Sequence, residues 1–95
     1  MAGVTVRVRV RLFGAFRRYS ARPEVVFEVP RGTRVAELRG HLAAALHEEC
    51  PGFDGQELLA LSALAAGEVL LGEGEAIAPE AGEALLAILP PVSGG

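Results

Sequence analysis

The sequence predicts an α+β fold in which a mixed β-sheet carries one main helix on one face. Three observations lead to this prediction: apolar and basic residues alternate strictly near the N-terminus, a helical stripe of apolar residues follows Thr33, and a short apolar run ends at Leu89. Alternation with a period of two is typical of a half-buried strand, whereas spacings of three and four are typical of an amphipathic helix. Strands that precede and follow a single helix favour a sheet with that helix packed against it.

The first two elements form a predicted antiparallel hairpin. Residues 4–13 alternate apolar side chains with Thr5 and three arginines, which gives the first strand one apolar and one basic face. Gly14 interrupts this run, and the polar residues 17–23 indicate a turn region. A second strand is predicted over residues 24–29, and the short connection makes the two strands antiparallel.

A helix is predicted to begin immediately after Thr33, which we interpret as its N-cap. The residue three positions later is Ala36, so a helix that has Thr33 as its N-cap lacks the glutamate of a capping box. Pro51 and Gly52 predict that the helix ends near Glu49. The apolar stripe of this helix consists of Val35, Leu38, Leu42, Ala45 and Leu46.

The second half of the chain gives weaker signals until its end. Residues 50–57 and 72–82 are acidic loops, the latter with room for a weak edge strand, and residues 69–71 form a short strand. The apolar run 58–65 fits either a strand or a helix, because periodicity alone does not separate the two in so short a segment. Residues 84–89 are apolar on both faces, as expected of a central strand.

The resulting order is β-β-α-β-β-β, and we expect a single domain over residues 1–95, with 90–95 as an extended C-terminal tail. The first and last strands are the natural central pair of the sheet because they are the most apolar. If they are neighbours they run parallel, and the helix is part of the crossover between them. This arrangement is a β-grasp fold.

Charge is distributed unevenly along the chain. All nine basic residues are arginines at or before Arg39, so residues 1–39, with three glutamates, carry +6, whereas residues 40–95 carry nine acids and −9. Such asymmetry either steers a charged partner or lets the two halves face each other within the fold. We favour the second interpretation, because a short domain interleaves its halves. The sequence has no lysine and therefore offers no side-chain amine for an isopeptide linkage.

Several function classes find no support in the sequence. His41 and His47 lack the i, i+4 spacing of a zinc pair on a helix, and no Ser-His-Asp constellation is present, so we expect no metal site. The basic face of the first strand has no interleaved aromatic residues, which argues against nucleic-acid binding. No apolar run approaches the ~20 residues of a membrane span. With no signal-peptide pattern and a single cysteine, Cys50, the chain is predicted to be cytoplasmic; an inert thiol is favoured over a reactive one.

The C-terminal tail carries the strongest functional signal. Proline favours an extended backbone without internal hydrogen bonds, and glycine passes through sites where any Cβ would collide. A tail of this composition that leaves a core strand suits insertion into the narrow site of a partner, where its α-carboxylate is the reactive group. The alternative is that the two glycines are a flexible remnant. The tail residues are Pro90, Pro91, Val92, Ser93, Gly94 and Gly95.

The ending LPPVSGG, the opening VRVRLFGAFRR and the helix entry PRGTRVAELRGHL together resemble the small, sulfur-carrier subunit of molybdopterin synthase, a ubiquitin-like β-grasp family. The resemblance spans the chain and is most specific in the tail. It implies that Gly95 is the catalytic residue. A ubiquitin-activating-type adenylating enzyme would use ATP to adenylate its carboxylate, and sulfur would then replace AMP to give a thiocarboxylate.

The same resemblance implies that the tail inserts into the large subunit of the synthase, where the sulfur passes to a pterin precursor. The large subunit would supply the acid–base residues, and no cofactor would be bound by this chain. Two alternatives stay open: a carrier for another acceptor (tRNA thiolation, thiamine or cysteine synthesis) or a ubiquitin-like protein modifier, and a non-catalytic interaction domain.

A short tail requires the body of the domain to lie close to the partner. We therefore expect partner contacts from residues 90–94 and from Phe13 and Phe16, on the side of the sheet away from the helix. Leu86 and Ile88 fit either further anchors or core residues. The basic row Arg7, Arg9 and Arg11 would steer association rather than supply most of the affinity.

Overall fold

The computed structural model describes residues 5–77 and 83–91. Within these ranges the elements are β1 (Thr5–Leu12), a 3₁₀ helix (Gly14–Tyr19), β2 (Glu24–Pro30), α1 (Val35–Glu49), α2 (Gln56–Leu61), β3 (Ala63–Ala66), β4 (Val69–Leu70) and β5 (Glu83–Leu89). Among the helices within these ranges, none combines the length and the apolar composition that a membrane span requires.

The strands form one mixed sheet in the order β2-β1-β5-β3-β4. β1 pairs antiparallel with β2 and parallel with β5, and β3 pairs antiparallel with both β5 and β4. The predicted hairpin and the predicted parallel pairing of the first and last strands are therefore confirmed. This topology, with one main helix, is the β-grasp arrangement.

The core lies between the sheet and α1, and it is made mainly of valine and leucine. Every second residue of β1 faces it, which confirms the interpretation of the alternating N-terminal pattern. Four of the five predicted stripe residues of the helix are fully buried, whereas Ala45 is half-buried at the margin. The buried residues of the central strands and the helix are Val6, Val8, Val10, Leu12, Ala84, Leu86, Ile88, Val35, Leu38, Leu42 and Leu46.

The N-terminus of α1 corrects one prediction. Arg34, not Thr33, is the N-cap, and the Arg34 backbone N–H donates to Glu37 Oε1 at 3.0 Å. The glutamate that was missing three residues after Thr33 is therefore present three residues after the actual cap. Thr33 is buried, and its hydroxyl donates to the Pro30 carbonyl at 2.6 Å, so it stabilises the preceding turn instead.

The segment after β4 docks on the start of α1. The backbone N–H groups of Val35 and Ala36 donate to the carbonyls of Glu75 (2.9 Å) and Glu73 (3.0 Å), which satisfies two donors that a helix start leaves open. The Arg39 guanidinium binds both carboxylate oxygens of Glu73, with Nε to Oε1 at 2.8 Å. Hydrogen bonds from Arg39 lower the pKa of Glu73 below its ordinary value. At this contact the basic and acidic halves do face each other.

The ambiguous run 58–65 contains both a helix and a strand. α2 ends at Leu61, and β3 begins at Ala63. The change occurs at the buried Ser62, whose Oγ donates to the Leu58 carbonyl at 2.7 Å. In the described part of the acidic segment 72–82, the expected weak strand is reduced to a single bridge between Arg34 and Ala76.

Candidate functional site

The tail leaves the fold from the middle of the sheet. β5 ends at Leu89, after which Pro90 is half-buried and Pro91 is exposed. Val92, Ser93, Gly94 and Gly95 lie outside the described residues, so the roles assigned to them stay predictions. The structure does fix the point of exit, because β5 is held between β1 and β3.

Gly14 packs against Pro90, the first residue of the tail. Its φ is +59°, a left-handed conformation that favours glycine, and a Cβ built on it would lie 2.7 Å from Pro90 Cγ. The parallel register pairs Leu12 with Ile88 and so brings the next residues of both strands together. In the sequence, Gly14 indicates only the end of a strand, because its packing against Pro90 depends on the pairing of strands that are far apart in sequence.

The two phenylalanines predicted as partner contacts take different positions. Phe13 continues the extended backbone of β1 and is 40% exposed beside the tail exit, so it is accessible to a partner. Phe16 is 0% exposed and belongs to the core. The prediction that Phe16 contacts a partner is wrong for this conformation. Phe13 still has the extended backbone of β1, whereas Phe16 lies inside the 3₁₀ helix, so the alternation of side chains along the strand does not continue to Phe16.

The 3₁₀ helix that carries Phe16 is fixed to the loop after α1. The Tyr19 ring packs edge-on against Phe53 at 4.7 Å between ring centroids, and its hydroxyl donates to Asp54 Oδ1 at 2.9 Å. This hydrogen bond, together with burial, raises the pKa of Tyr19. Phe53 is buried, whereas Cys50 nearby is half-buried. These contacts hold the turn under the tail exit in place.

The sheet face away from α1, here called the open face, has a charged half and an apolar half. The strand register places Arg9 between Val26 and Leu85 on this face, and Leu85 is 62% exposed. Leu86 and Ile88 point the other way, at 7% and 0% exposure, which assigns them to the core. The charged half comprises Thr5, Arg7, Arg9, Arg11, Glu24, Val26, Glu28 and Glu83, and the apolar half comprises Phe13, Ala63, Ala65, Leu70, Leu85, Ala87 and Leu89.

Arg9 binds together the three strands of the charged half. Its Nη1 lies 2.8 Å from Glu24 Oε1, and its Nη2 lies 3.2 Å from Glu83 Oε2. The hydrogen bonds to Glu24 and then Glu83 raise the pKa of Arg9 above its already high value. Within residues 5–77 and 83–91, no such ion pair involves Arg7 or Arg11. In that part of the chain Arg7 and Arg11 are thus the open-face arginines outside an ion pair, and the register places Glu28 and Glu24 opposite them.

Metal-ligating side chains do not gather in the part of the chain that the structure describes, where no group of three or more His, Cys, Asp or Glu side chains is placed to hold an ion. What the described residues do show is a tail with a fixed exit beside a partly apolar face.

Comparison with known proteins yields no matching family model and no curated relative. Solved structures do match. SAMP1 from Haloferax volcanii is 26% identical, with 94% of this chain and 99% of that chain covered and a TM-score of 0.65. A putative molybdopterin converting factor, subunit 1, from Pyrococcus furiosus is 24% identical, with 92% and 99% covered and a TM-score of 0.65. The H. volcanii HVO 2177 protein is 20% identical, with 100% and 92% covered and a TM-score of 0.66.

One of these neighbours, the putative molybdopterin converting factor subunit, carries a name from the family that the sequence resembles, and its likeness to this chain shows the fold. The fold is a ubiquitin-like β-grasp, as predicted, and it is shared over nearly the whole length of both chains in each comparison.

Proposed function

We propose that this chain is a sulfur carrier whose C-terminal Gly95 is converted to a thiocarboxylate, which donates sulfur to a pterin precursor in molybdopterin biosynthesis. The observation that carries the proposal is the tail exit: a central strand delivers Pro90 onto Gly14, next to an exposed phenylalanine. The tail sequence and the fold shared with a putative molybdopterin converting factor subunit support the same function.

The chemistry at Gly95 needs two steps, because a free carboxylate is a poor acyl donor. A carboxylate oxygen first attacks the α-phosphorus of ATP, and pyrophosphate leaves. A sulfur nucleophile at the oxidation level of sulfide then attacks the acyl carbon, and AMP leaves to give the thiocarboxylate. The adenylating enzyme binds the ATP and the synthase large subunit supplies the acid–base groups, so this chain contributes the nucleophile and its position.

The length of the tail determines how the partners must dock. Residues 90–95, fully extended, span about 20 Å, so the domain must lie against its partner for Gly95 to reach an active site. The apolar half of the open face includes the surface beside the exit, and its exposed large side chains include Phe13, directly after β1, and Leu85 on β5. We expect these two residues to anchor both the adenylating enzyme and the large subunit.

A second candidate is supported by the neighbour at 26% identity, SAMP1; a further H. volcanii structure that also matches carries the name small archaeal modifier protein 1. In a protein modifier, the activated glycine would be attacked by an amine of a target protein, and an isopeptide bond would form. Because this sequence has no lysine, the chain would act as the donor and not as a side-chain acceptor. Both functions share the adenylated glycine and differ in the nucleophile that follows.

Intact-mass measurement tests the shared step. After incubation with the adenylating enzyme, ATP and a sulfur donor, we expect the mass change for exchange of one oxygen for one sulfur. Deletion of Gly95 should abolish this change and leave the thermal melt unaltered. Gly94→Val keeps the carboxylate but adds a β-branched side chain, and it should block activation by its bulk. Normal thiocarboxylate formation in the deletion variant contradicts the proposal.

The acceptor is tested separately with the activated chain. Sulfur transfer to the pterin precursor in the presence of the large subunit supports the synthase role. Conjugates of this chain to other proteins, with no transfer to the pterin, instead support the modifier role.

A further inference from the structure

The outer edge of β2 presents unpaired backbone groups. β2 is a terminal strand of the sheet, and none of the other strands in the described ranges lies beyond it. The Leu12 N–H donates to the Pro23 carbonyl at 2.8 Å, which identifies this as a hydrogen-bonded pair of the antiparallel ladder. Such pairs alternate with pairs that are not hydrogen-bonded. The register then directs the N–H and C=O groups of Glu24, Val26 and Glu28 away from β1.

The prolines at the two ends of β2 agree with this assignment. Pro30 pairs with Thr5 in the same outward-facing set as Val26, so its missing N–H costs no bond to β1. Pro23 contributes only its carbonyl, and it does so toward Leu12. The open edge is therefore limited to three residues, which gives three donors and three acceptors in a row.

A groove of about 580 Å³ runs along this edge between β2 and α1. On the helix side its floor is apolar, made by Val25, Phe27 and the small side chains of Ala44 and Ala45. Small residues on α1 leave room for the side chains of an added strand. An added strand would place alternate side chains on the open face and in this groove, because strand side chains alternate.

The charges around the groove favour a basic occupant. Four carboxylates line it, against two guanidiniums and His41. One ion pair lies within this lining, between Arg9 and Glu24, and Arg9 is also bound by Glu83 from outside the lining. Three carboxylates then remain against the Arg22 guanidinium and His41. The lining carboxylates are Glu24, Glu28, Glu48 and Glu49.

The same charges disfavour a second copy of this chain. If two β2 edges paired antiparallel with Val26 opposite Val26, which overlaps all three outward-facing residues, Glu24 of each copy would lie opposite Glu28 of the other. Like charges directly opposite each other destabilise a strand pair. An edge flanked in this way resists self-association while it still accepts a strand of opposite charge.

We propose that the β2 edge binds an extended, basic segment of another protein by adding it to the sheet as an antiparallel strand. Backbone hydrogen bonds to Glu24, Val26 and Glu28 supply the register. Basic side chains of the segment lie opposite Glu24 and Glu28, and apolar side chains enter the groove beside Val25 and Phe27. This surface is separate from the tail exit on β5, so binding here does not require a reactive Gly95.

The test uses the full chain and a capped seven-residue peptide that alternates lysine with valine, titrated with amide NMR detection. We expect the largest shifts at Glu24, Val26 and Glu28. A peptide that alternates glutamate with valine should bind at least several-fold more weakly, because it replaces attraction by repulsion opposite both Glu24 and Glu28. Equal affinity for the two peptides, or shifts confined to the β4 edge, would overturn the proposal.

Two matched pairs test the backbone bonds. N-methylation of the lysine residues removes the N–H groups that face β2 and should abolish binding, whereas N-methylation of the valine residues blocks only the outer edge and should preserve it. Val26→Pro removes one outward donor without loss of a bond to β1 and should weaken binding at least about tenfold, whereas Val26→Ala keeps that donor and should bind almost as the parent chain does.

Unchanged binding of the lysine-methylated peptide excludes strand addition, and this result holds even if Val26→Pro fails to fold. Sedimentation velocity tests whether the β2 edge instead pairs with a second copy of this chain. Concentration-dependent dimers of the parent chain that Val26→Pro disrupts would assign the edge to a second copy and overturn the proposal.

Discussion

The two faces of the sheet use the same strands for different purposes. On β1, the even-numbered residues Val8 and Val10 are 0% exposed against α1, while the odd-numbered Arg7 and Arg11 lie in solvent. β5 departs from this division, because Leu85 is as apolar as Leu86 but is 62% exposed on the open face. An apolar side chain on the covered face stabilises the fold, whereas one on the open face is available to a partner.

The tail exit involves residues that follow both central strands of the sheet. Pro90 follows a strand whose covered side is core, and it rests on Gly14, which follows the strand that carries the arginine row. A substitution at Gly14 should therefore affect two properties, the stability of the fold and the direction in which the tail leaves it.

The largest expected effect is a difference in stability between a substitution on the covered side of the sheet and one on the open face. Leu38→Ala removes a side chain that is 0% exposed on the helix, so the free energy of unfolding should fall by ~2–5 kcal/mol. Leu85→Ala removes the same atoms from the open face and should change it by less than ~0.5 kcal/mol. Chemical denaturation of both variants measures the difference. Equal losses of stability would show that Leu85 is also buried in solution, so that the two faces of the sheet would not differ in exposure.

Gly14→Ala tests the contact between the faces, with Gly67→Ala as its control. The two glycines have nearly the same φ, +59° and +63°, but a Cβ on Gly67 would meet nothing within 4 Å. Both variants should lose ~1–2 kcal/mol of stability to the left-handed backbone. Gly14→Ala should lose a further ~1–3 kcal/mol to the clash with Pro90, and it should also slow activation of Gly95. If the two variants melt alike, Pro90 is not seated on Gly14.

The strand pairing was predictable from the sequence because burial dictates it. The alternation in residues 4–13 indicated which side of the first strand faces the core, and the apolar run 84–89 indicated a central strand. Together they predicted the central parallel pair. The helix stripe was predictable for the same reason. Its start was misplaced by one residue, because Thr33 and Arg34 both precede an apolar run and only the reach of the Glu37 carboxylate distinguishes them.

The site was less predictable because it depends on contacts between distant residues. The run EALLAIL is apolar at both parities, so its composition did not indicate that Leu86 and Ile88 face the helix and Leu85 faces outward; the register with β1 decides this. Phe16 was misassigned because a 3₁₀ turn, with no clear sequence signal, rotates it into the core.

A smaller effect concerns the ion pair on the covered side of the sheet. Folding lowers the pKa of Glu73 from its ordinary 4.5 through hydrogen bonds from Arg39, so the charged form contributes stability above the unfolded pKa. That contribution is lost as the pH falls through the folded pKa. The stability difference between the parent chain and Glu73→Gln should therefore be largest near neutral pH and shrink at pH values below 4.5. Because Glu73 is half exposed, the difference should be modest even at its maximum.

Urea denaturation at a series of pH values measures this difference. No gap at any pH would mean that Glu73 acts only through its backbone carbonyl, which also caps Ala36 and is kept in Glu73→Gln. A gap that stays constant below pH 4.5 would show that the charge of Glu73 is not what stabilises the fold.

The smallest effect on stability, and the most informative for the open face, is expected from replacing Arg7 and Arg11 with serine. Both side chains are exposed, so the free energy of unfolding should change by less than ~0.5 kcal/mol. Their charges should instead accelerate the encounter with the adenylating enzyme or the large subunit, and such steering weakens when salt shortens the range of the field. Stopped-flow binding at two salt concentrations should show a several-fold slower association at low salt, little change in dissociation, and a flatter salt dependence.

The control variant combines Arg17→Ser with Arg31→Ser, which removes an equal number of positive charges from outside the open face and should slow association less. If the two double variants behave alike, net charge alone sets the rate, and the arginine row of β1 is a solvated surface rather than part of the docking face.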